Sequence, residues 1–253
     1  MSLHHQPKSP AWPPRSAPRL FVHVPLTDGV PVLIEGPQAH YLARVMRIGV
    51  GDAVVLCDDL TGEWACRVSE AGKREVVVVP EVHSRPREEV PDFELIPALL
   101  KKDRFDLVLE KATELGVRRI QPVVTRRCVA DKLNEERART IVVEAAEQCA
   151  RTALPELELT VKLEVLLRGW SDRRVLFFAD EQGGQPAGEA FAANLGPAAL
   201  LTGPEGGFDE AERAAIRALP QAVPISLGPR ILRGETAAIA GMALWMGVAG
   251  DWK

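Results

Sequence analysis

Two loops carry the residues best suited to chemistry. The first lies within LLTGPEGGFDEAE (Leu200–Glu212), where Gly-Pro-Glu-Gly-Gly follows an apolar run. The second, SLGPRILRGET (Ser226–Thr236), holds another Gly-Pro and two arginines. Glycine lets a backbone come close to a ligand, and proline stiffens the approach. No Gly-x-Gly-x-x-Gly follows a first strand, and neither a P-loop nor a Gly-x-Ser-x-Gly elbow occurs. These loops are therefore expected to hold a ligand through backbone amides and carbonyls, without a phosphate cradle. A tight strand-to-helix turn with no ligand is the plain alternative. All five histidines (His4, His5, His23, His40 and His83) lie in the first 83 residues. Chemistry beyond them runs without imidazole, which removes a Ser-His-Asp triad, a Cys-His pair and most zinc sites; no metal is expected. Arginine and carboxylate remain. Arg233 offers five donors and a permanent charge, suited to an anion or a phosphate. Glu235 could accept a proton or cap the final helix, where an acid suits the dipole. Glu205 reads best as a carboxylate bracing its own loop.

The loops must be set by the elements around them. Ala198–Leu201 reads as a strand, and Asp209 with Glu212 three residues on has capping-box spacing for a helix start. The same rhythm runs from Phe93 onward. Strand FELIPALL leads to helix RFDLVLEKATELG, strand IQPVV to helix EERARTIVVEAAEQCAR, then come strands VLFFA and AALLTG, the helix after Asp209, strand AVPISLG and a last apolar helix. Such alternation predicts a parallel sheet covered by helices, with ligands beyond the carboxyl ends of its strands. The final helix, from Ala237 through Trp245 and Met246, is apolar nearly all round, so it is buried on more than one face, in a core or a symmetric dimer seam.

Residues 20–83 read differently: VPVLIEG, DAVVLCDD, EWACRVSEAG and REVVVVPEV are short, β-rich and punctuated by turn residues, which predicts a small barrel. QAHYLARVMRIGVGD between the first two reads as a short helix ending at a glycine. SRPREEVPD (84–92) reads as a linker to a second domain, 93–253, and the proline-rich residues 1–19 as a disordered extension. The chain has 253 residues and a net charge of −4, but residues 101–151 carry 12 basic and 9 acidic side chains, so a local basic face remains open. No apolar run is long enough for a membrane span, and no secretory signal precedes the fold. Cys57, Cys66, Cys128 and Cys149 form no Cys-x-x-Cys pair and read as reduced, buried thiols, so a cytoplasmic protein is expected.

LLTGPEGGFDEAE followed by ISLGPRILRGETAAIAGMALW resembles the paired cofactor loops of the RsmE family, SPOUT-class methyltransferases that methylate N3 of a uridine in 16S ribosomal RNA of the small subunit. HYLARVMRIGVGD resembles that family's N-terminal PUA-like RNA-binding barrel, and KKDRFDLVLEKATELGVRRIQPVVTRRCV with EAAEQCAR resembles the first half of its catalytic domain. Together these cover roughly residues 20–250 in the family's order.

The resemblance implies an α/β fold: a SPOUT-type trefoil-knotted parallel-sheet catalytic domain preceded by a small PUA-like β-barrel. It implies S-adenosyl-L-methionine as cofactor, ribosomal RNA of the small subunit as substrate and a homodimer. Leu201, Thr202, Gly203, Pro204, Glu205, Gly206 and Gly207, with Ser226, Leu227, Gly228, Ile231 and Leu232, would then bind the cofactor. Arg233 would stabilise the uridine anion, and Glu235 is the weaker candidate for taking the N3 proton. Arg44, Arg47, Lys101, Lys102, Arg104, Arg126, Arg127 and Arg230 are the candidate RNA contacts, although Arg230 could equally meet a partner subunit and each of the others taken singly could be an ordinary surface charge. A related enzyme acting on transfer RNA and a non-catalytic RNA-binding module are the competing readings.

Overall fold

The computed structural model describes residues 12–252, which fall into two units: the residues through Glu88 with Ala150–Ala153, and Glu89–Cys149 with Leu154 onward. The first unit contains β1 (Arg19–Phe21), β2 (Val32–Glu35), α1 (Gly36–His40), β3 (Ala53–Cys57), β4 (Gly62–Ala71) and β5 (Glu75–Pro86). Its strands form one sheet in the order β1-β3-β4-β5-β2, antiparallel except for the β1–β3 pair. β2 shows why it folds this way: Val32 and Ile34 are buried while Leu33 and Glu35 are exposed, so one face meets the core. The long β4–β5 ladder shifts register at three places, and such irregularities bend and twist a sheet. The resulting core includes Leu42, Val54, Leu56, Cys66, Val76 and Val78.

Several details depart from expectation. Residues 1–11 lie outside the described residues, so that part of the expected extension has no account here. Trp12 lies beneath the Arg67 guanidinium, 4.0 Å from its ring centre, and Arg19 already opens β1, so residues 12–19 are not a featureless tail. Ser84, Arg85 and Pro86, read from composition as linker, continue β5. The N-terminal helix does not end at a glycine. It passes into a π turn (Tyr41–Val45), and Arg47 then takes the left-handed φ of 54° that a glycine would usually supply. Thr152 and Ala153 join this unit through backbone N–H bonds to Glu88 Oε1 at 2.7 and 3.1 Å, a return that no local pattern signals.

The second unit contains β6 (Phe93–Pro97), α2 (Lys102–Glu114), β7 (Arg119–Ile120), β8 (Val123–Val124), α3 (Glu135–Cys149), β9 (Glu156–Leu157), β10 (Val161–Lys162), α4 (Leu163–Arg168), β11 (Val175–Ala179), β12 (Gln185–Pro186), α5 (Ala187–Ala192), β13 (Ala198–Thr202), α6 (Glu210–Arg217), β14 (Ala222–Ser226) and α7 (Gly234–Val248). Seven parallel strands run in the order β12-β14-β11-β13-β6-β7-β9, and β8 pairs with β10. Both faces of the sheet are covered, so β11 is apolar throughout, and β6 and β13 are apolar except at Glu94 and Thr202. Ala198 and Leu200 of β13 join one core cluster with α2, α3, α5 and α7, while Ala199 and Leu201 join another with α4 and α6. The short α4 and α5 and the two-residue strands are too brief for periodicity to reveal.

α7 is not buried all round. Ala238, Gly241, Met242, Trp245 and Met246 face inward, and Trp245 stacks on Phe93 with ring centres 4.1 Å apart. Thr236, Leu244 and Gly247 are exposed, with Ala240 and Ala243 half-buried beside them. Trp245 is therefore a core residue of its own unit. All four cysteines are free thiols; Cys57 and Cys66 are buried as expected, but Cys149 is exposed and Cys128 half-buried.

Candidate active site

β14, β11 and β13 are neighbours in the sheet, and the loops leaving their carboxyl ends surround one cleft. Its volume is about 440 Å³, and its walls are Ala179–Gly183, Gly203–Gly207 and Ile225–Leu232, closed by Gly234 and Ala237 of α7. The loops meet through bare backbone. A Cβ on Gly234 would lie 2.9 Å from the Gly203 carbonyl oxygen and 2.8 Å from Leu100, so only glycine lets α7 start this close to the first loop.

The first loop is braced from three sides. Asp209 and Glu212 form the expected reciprocal capping box at the start of α6. The Glu212 N–H, aided by Arg126, holds the Asp209 carboxyl below the usual carboxylate range. The Arg126 N–H donates to Glu212 at 2.7 Å, and the Arg126 guanidinium to Asp209 at 3.0 Å. Arg127 donates to the Gly206 carbonyl at 3.1 Å. Glu205 accepts the Lys101 N–H at 3.2 Å, the bracing role read from its position. Arg104 lies 3.6 Å from Glu205 and 3.7 Å from Glu235, so one guanidinium spans both glycine loops. Glu235 sits in the first turn of α7, 9% exposed, and its Oε2 is buried with no hydrogen-bond partner among the described residues.

Of the twelve expected cofactor positions, Gly203–Gly207, Ser226, Leu227, Gly228, Ile231 and Leu232 line the cleft. Leu201 and Thr202 do not: they are buried inside β13, Leu201 in the core and Thr202 accepting the Ala98 N–H through its carbonyl. The expected RNA contacts divide. Arg104, Arg126 and Arg127 are engaged with the two glycine loops and the start of α6. Lys101, Lys102 and Arg230 are exposed with no ion-pair partner among the described residues, and Arg230 lines the cleft itself. Arg44 and Arg47 are exposed in the first unit but do not share a helix face. Arg233 is the exposed N-cap residue of α7 and does not line the cleft.

Sequence reasoning missed the third wall, Ala179–Gly183. The signal was present: strand VLFFA is followed by Asp-Glu-Gln-Gly-Gly, a third apolar strand running into glycines. Here Asp180 is buried and pairs with Arg213 and Arg217 of α6, the latter at 2.6 Å, while Glu181 contacts Arg213 at 2.6 Å. A second cavity, of about 450 Å³, is lined by Asp92, Glu94, Arg119, Trp170 and Arg174. Its buried and half-buried charges are paired, with Arg174 2.9 Å from Asp92 and 3.2 Å from Glu94. It offers no convergent backbone loops, which leaves the glycine-walled cleft as the candidate site.

The chain thus combines a parallel α/β unit that carries a backbone-walled cleft at its strand ends with a unit built on a bent antiparallel sheet. The chain matches the RNA methyltransferase domain family over residues 87–246 and the RNA methyltransferase PUA domain over residues 34–81. It is 28% identical to ribosomal RNA small subunit methyltransferase E of Rickettsia conorii, covering 89% of this chain and 93% of that one. Against the Bacillus subtilis protein of the same name it is 31% identical, covering 81% and 85%. The Neisseria gonorrhoeae ribosomal RNA small subunit methyltransferase E, solved bound to S-adenosyl methionine, superposes with a TM-score of 0.86 at 25% identity, covering 94% of this chain and 100% of that one. A Legionella pneumophila protein solved with the same cofactor gives 0.83 at 27% identity, covering 93% and 99%. The chain belongs to the ribosomal RNA small subunit methyltransferase E family, the RsmE family that its loop motifs resemble.

Proposed function

We propose that this enzyme transfers a methyl group from S-adenosylmethionine to N3 of a uridine in 16S ribosomal RNA of the small subunit. The observation that carries the reading is the convergence of three glycine-bearing loops on one cleft at the carboxyl ends of adjacent parallel strands. The residues present fit the cofactor. The volume is in the range of small-molecule sites, about 300–1,000 Å³. Leu227, Ile231 and Leu232 offer an apolar wall for an adenine ring, and the loops offer amides and carbonyls for its edges. When bound, the sulfonium supplies an electrophilic methyl group. The rest falls to the chain. Uridine N3 carries a proton and is a poor nucleophile until that proton leaves, so the site must favour the anion or accept the proton. Arg233, exposed and without an ion-pair partner among the described residues, is available to stabilise the anion. Glu235, which does not itself line the cleft, keeps one buried oxygen with no hydrogen-bond partner among the described residues and is the weaker candidate for taking the proton. Lys101, Lys102 and Arg230 lie free to follow the RNA backbone, and the PUA-like unit to dock it.

The same proposal includes a trefoil-knotted catalytic domain, a cytoplasmic location and a homodimer. The strip of α7 formed by exposed Thr236, Leu244 and Gly247 with half-buried Ala240 and Ala243 supports the dimer. Among the described residues no helix is long and apolar enough to cross a membrane. Incubation with undermethylated small subunits and S-adenosylmethionine, followed by mass mapping of nucleosides, tests the reaction. N3-methyluridine in 16S RNA is the expected product; a methyl group at another atom, or in transfer RNA alone, overturns it.

A further inference from the structure

We propose that Glu181 recognises the ribose diol of the cofactor. The inference rests on the reading that the cleft binds S-adenosylmethionine. Glu181 leaves the end of β11 and lines the cleft. Arg213 engages only its Oε1, at 2.6 Å; Oε2 accepts no hydrogen bond from the described residues. A Cβ on Gly207 would lie 2.8 Å from Oε1 but 3.7 Å from Oε2, so glycine there lets the carboxylate pack against the first loop by its Arg213-bound oxygen, away from Oε2.

Charge selects which part of the ligand goes there. Asp180 and Glu181 face Arg213 and Arg217, two acids against two bases, so the cluster is neutral as a whole. Arg213 is buried and holds the Glu181 carboxylate by one oxygen. A charge-compensated carboxylate with a free oxygen is a strong acceptor for a neutral hydroxyl but a weak trap for a cation. A cation finds its surplus elsewhere: Glu205 and Glu235 share the single Arg104. The hydroxyl donors of the cofactor are the two on its ribose, and an acidic side chain on a ribose hydroxyl is a recurring arrangement in α/β nucleotide sites. Glu181 then sets the cofactor's orientation, with the ribose toward β11 and the ammonium toward Glu205.

Isothermal titration of the full chain with S-adenosylhomocysteine and its 2′-deoxy and 3′-deoxy analogues tests this. The wild-type protein should lose about 10- to 100-fold in affinity for at least one deoxy analogue, the size of a hydrogen bond to a charged group. Glu181→Ala should bind S-adenosylhomocysteine that much more weakly and no longer distinguish it from the analogue. Glu181→Gln, an uncharged acceptor, should fall between. Equal discrimination in Glu181→Ala and wild type overturns the assignment, as does a wild-type protein indifferent to both hydroxyls. A wild-type protein that binds neither S-adenosylhomocysteine nor S-adenosylmethionine removes the cleft reading itself. If Glu181→Ala does not melt cooperatively, Glu181→Gln carries the comparison: reduced discrimination supports the diol contact and unchanged discrimination overturns it.

Discussion

Arg233 and Glu235 are two residues apart yet occupy opposite environments, one exposed at the helix N-cap and one buried behind it. The difference predicts different failures. Arg233→Ala should keep cofactor affinity and lose about 100- to 1,000-fold in single-turnover rate, the usual loss for a donor aimed at developing charge, about 3–4 kcal/mol. Arg233→Lys should recover part of this, since a point charge cannot reproduce the planar fork. Higher pH should partly rescue Arg233→Ala, because solvent then removes more of the substrate proton. Glu235→Gln should be crippled near neutrality and rescued more strongly by alkali if the carboxylate takes that proton; wild-type rates would leave it a helix cap. A second pair of variants separates bracing from RNA contact. Arg127 holds the Gly206 carbonyl, and a Cβ at Gly206 would meet the Arg127 side chain at 3.0 Å and not open cleft. Arg127→Ala should therefore weaken cofactor binding in calorimetry. Lys101→Ala with Lys102→Ala should spare it and reduce the salt slope of single-stranded RNA binding by about 1.4 if both contact phosphate.

At the scale of elements, the start of α7 sets two preferences against each other. Alanine exceeds glycine in a helix by about 1 kcal/mol. At Gly234 the added Cβ would press on Leu100 and the Gly203 carbonyl, and overpacking of that kind costs about 1–3 kcal/mol. Packing wins, because the carbonyl belongs to a braced loop that cannot retreat. Gly234→Ala should lower the melting temperature and weaken cofactor binding together; a more stable variant with unchanged affinity would refute the close approach. In the first unit the loop after β3 hangs on Asp58, which accepts N–H bonds from Leu26, Leu60, Thr61 and Gly62. Burial alone would raise this carboxyl, but those bonds outweigh it and hold it below the usual range. Asp58→Ala leaves several buried N–H groups unpaired and should cost about 1–3 kcal/mol or more in denaturant unfolding.

Across the molecule, two carboxylates give the units opposite responses to acid. The folded-state pKa of Asp58 is lowered, so its contribution is present above the unfolded value, about 3.9, and fades as pH falls toward the folded one. Glu94 in the second unit is shifted upward by burial, only partly offset by Arg174 and Arg119. Its contribution is largest in acid and declines as pH rises through its folded value. Hydrogen exchange on the full chain between pH 6 and the acid edge should show the amides around Asp58 losing protection first, and Asp58→Asn should flatten that dependence. Uniform loss of protection in both units would refute this separation. The exposed strip of α7 carries the assembly prediction. Leu244→Glu changes a side chain that is 39% exposed, so the fold should survive while sedimentation shows dissociation. A wild-type monomer at micromolar concentration would end the dimer reading.

Local pattern and composition carried much of this. The β11 run VLFFA, the Asp209–Glu212 capping box and the stop of α2 before Gly116 were legible because strand length, cap spacing and a glycine after the last apolar turn are local signals. The two glycine loops were legible as bare backbone at two strand ends, a pattern open both to a ligand and to a plain strand-to-helix turn. Tertiary structure decided what each charge does. Arg104, Arg126 and Arg127 look like any basic surface run until their partners, some 80 to 130 residues away, are in place. Trp245 reads as a possible seam until Phe93 is stacked on it. The third wall of the cleft, the return of residues 150–153 and the left-handed Arg47 have the same origin. Periodicity reports which face of an element is apolar, but only the packed chain determines which distant element meets it.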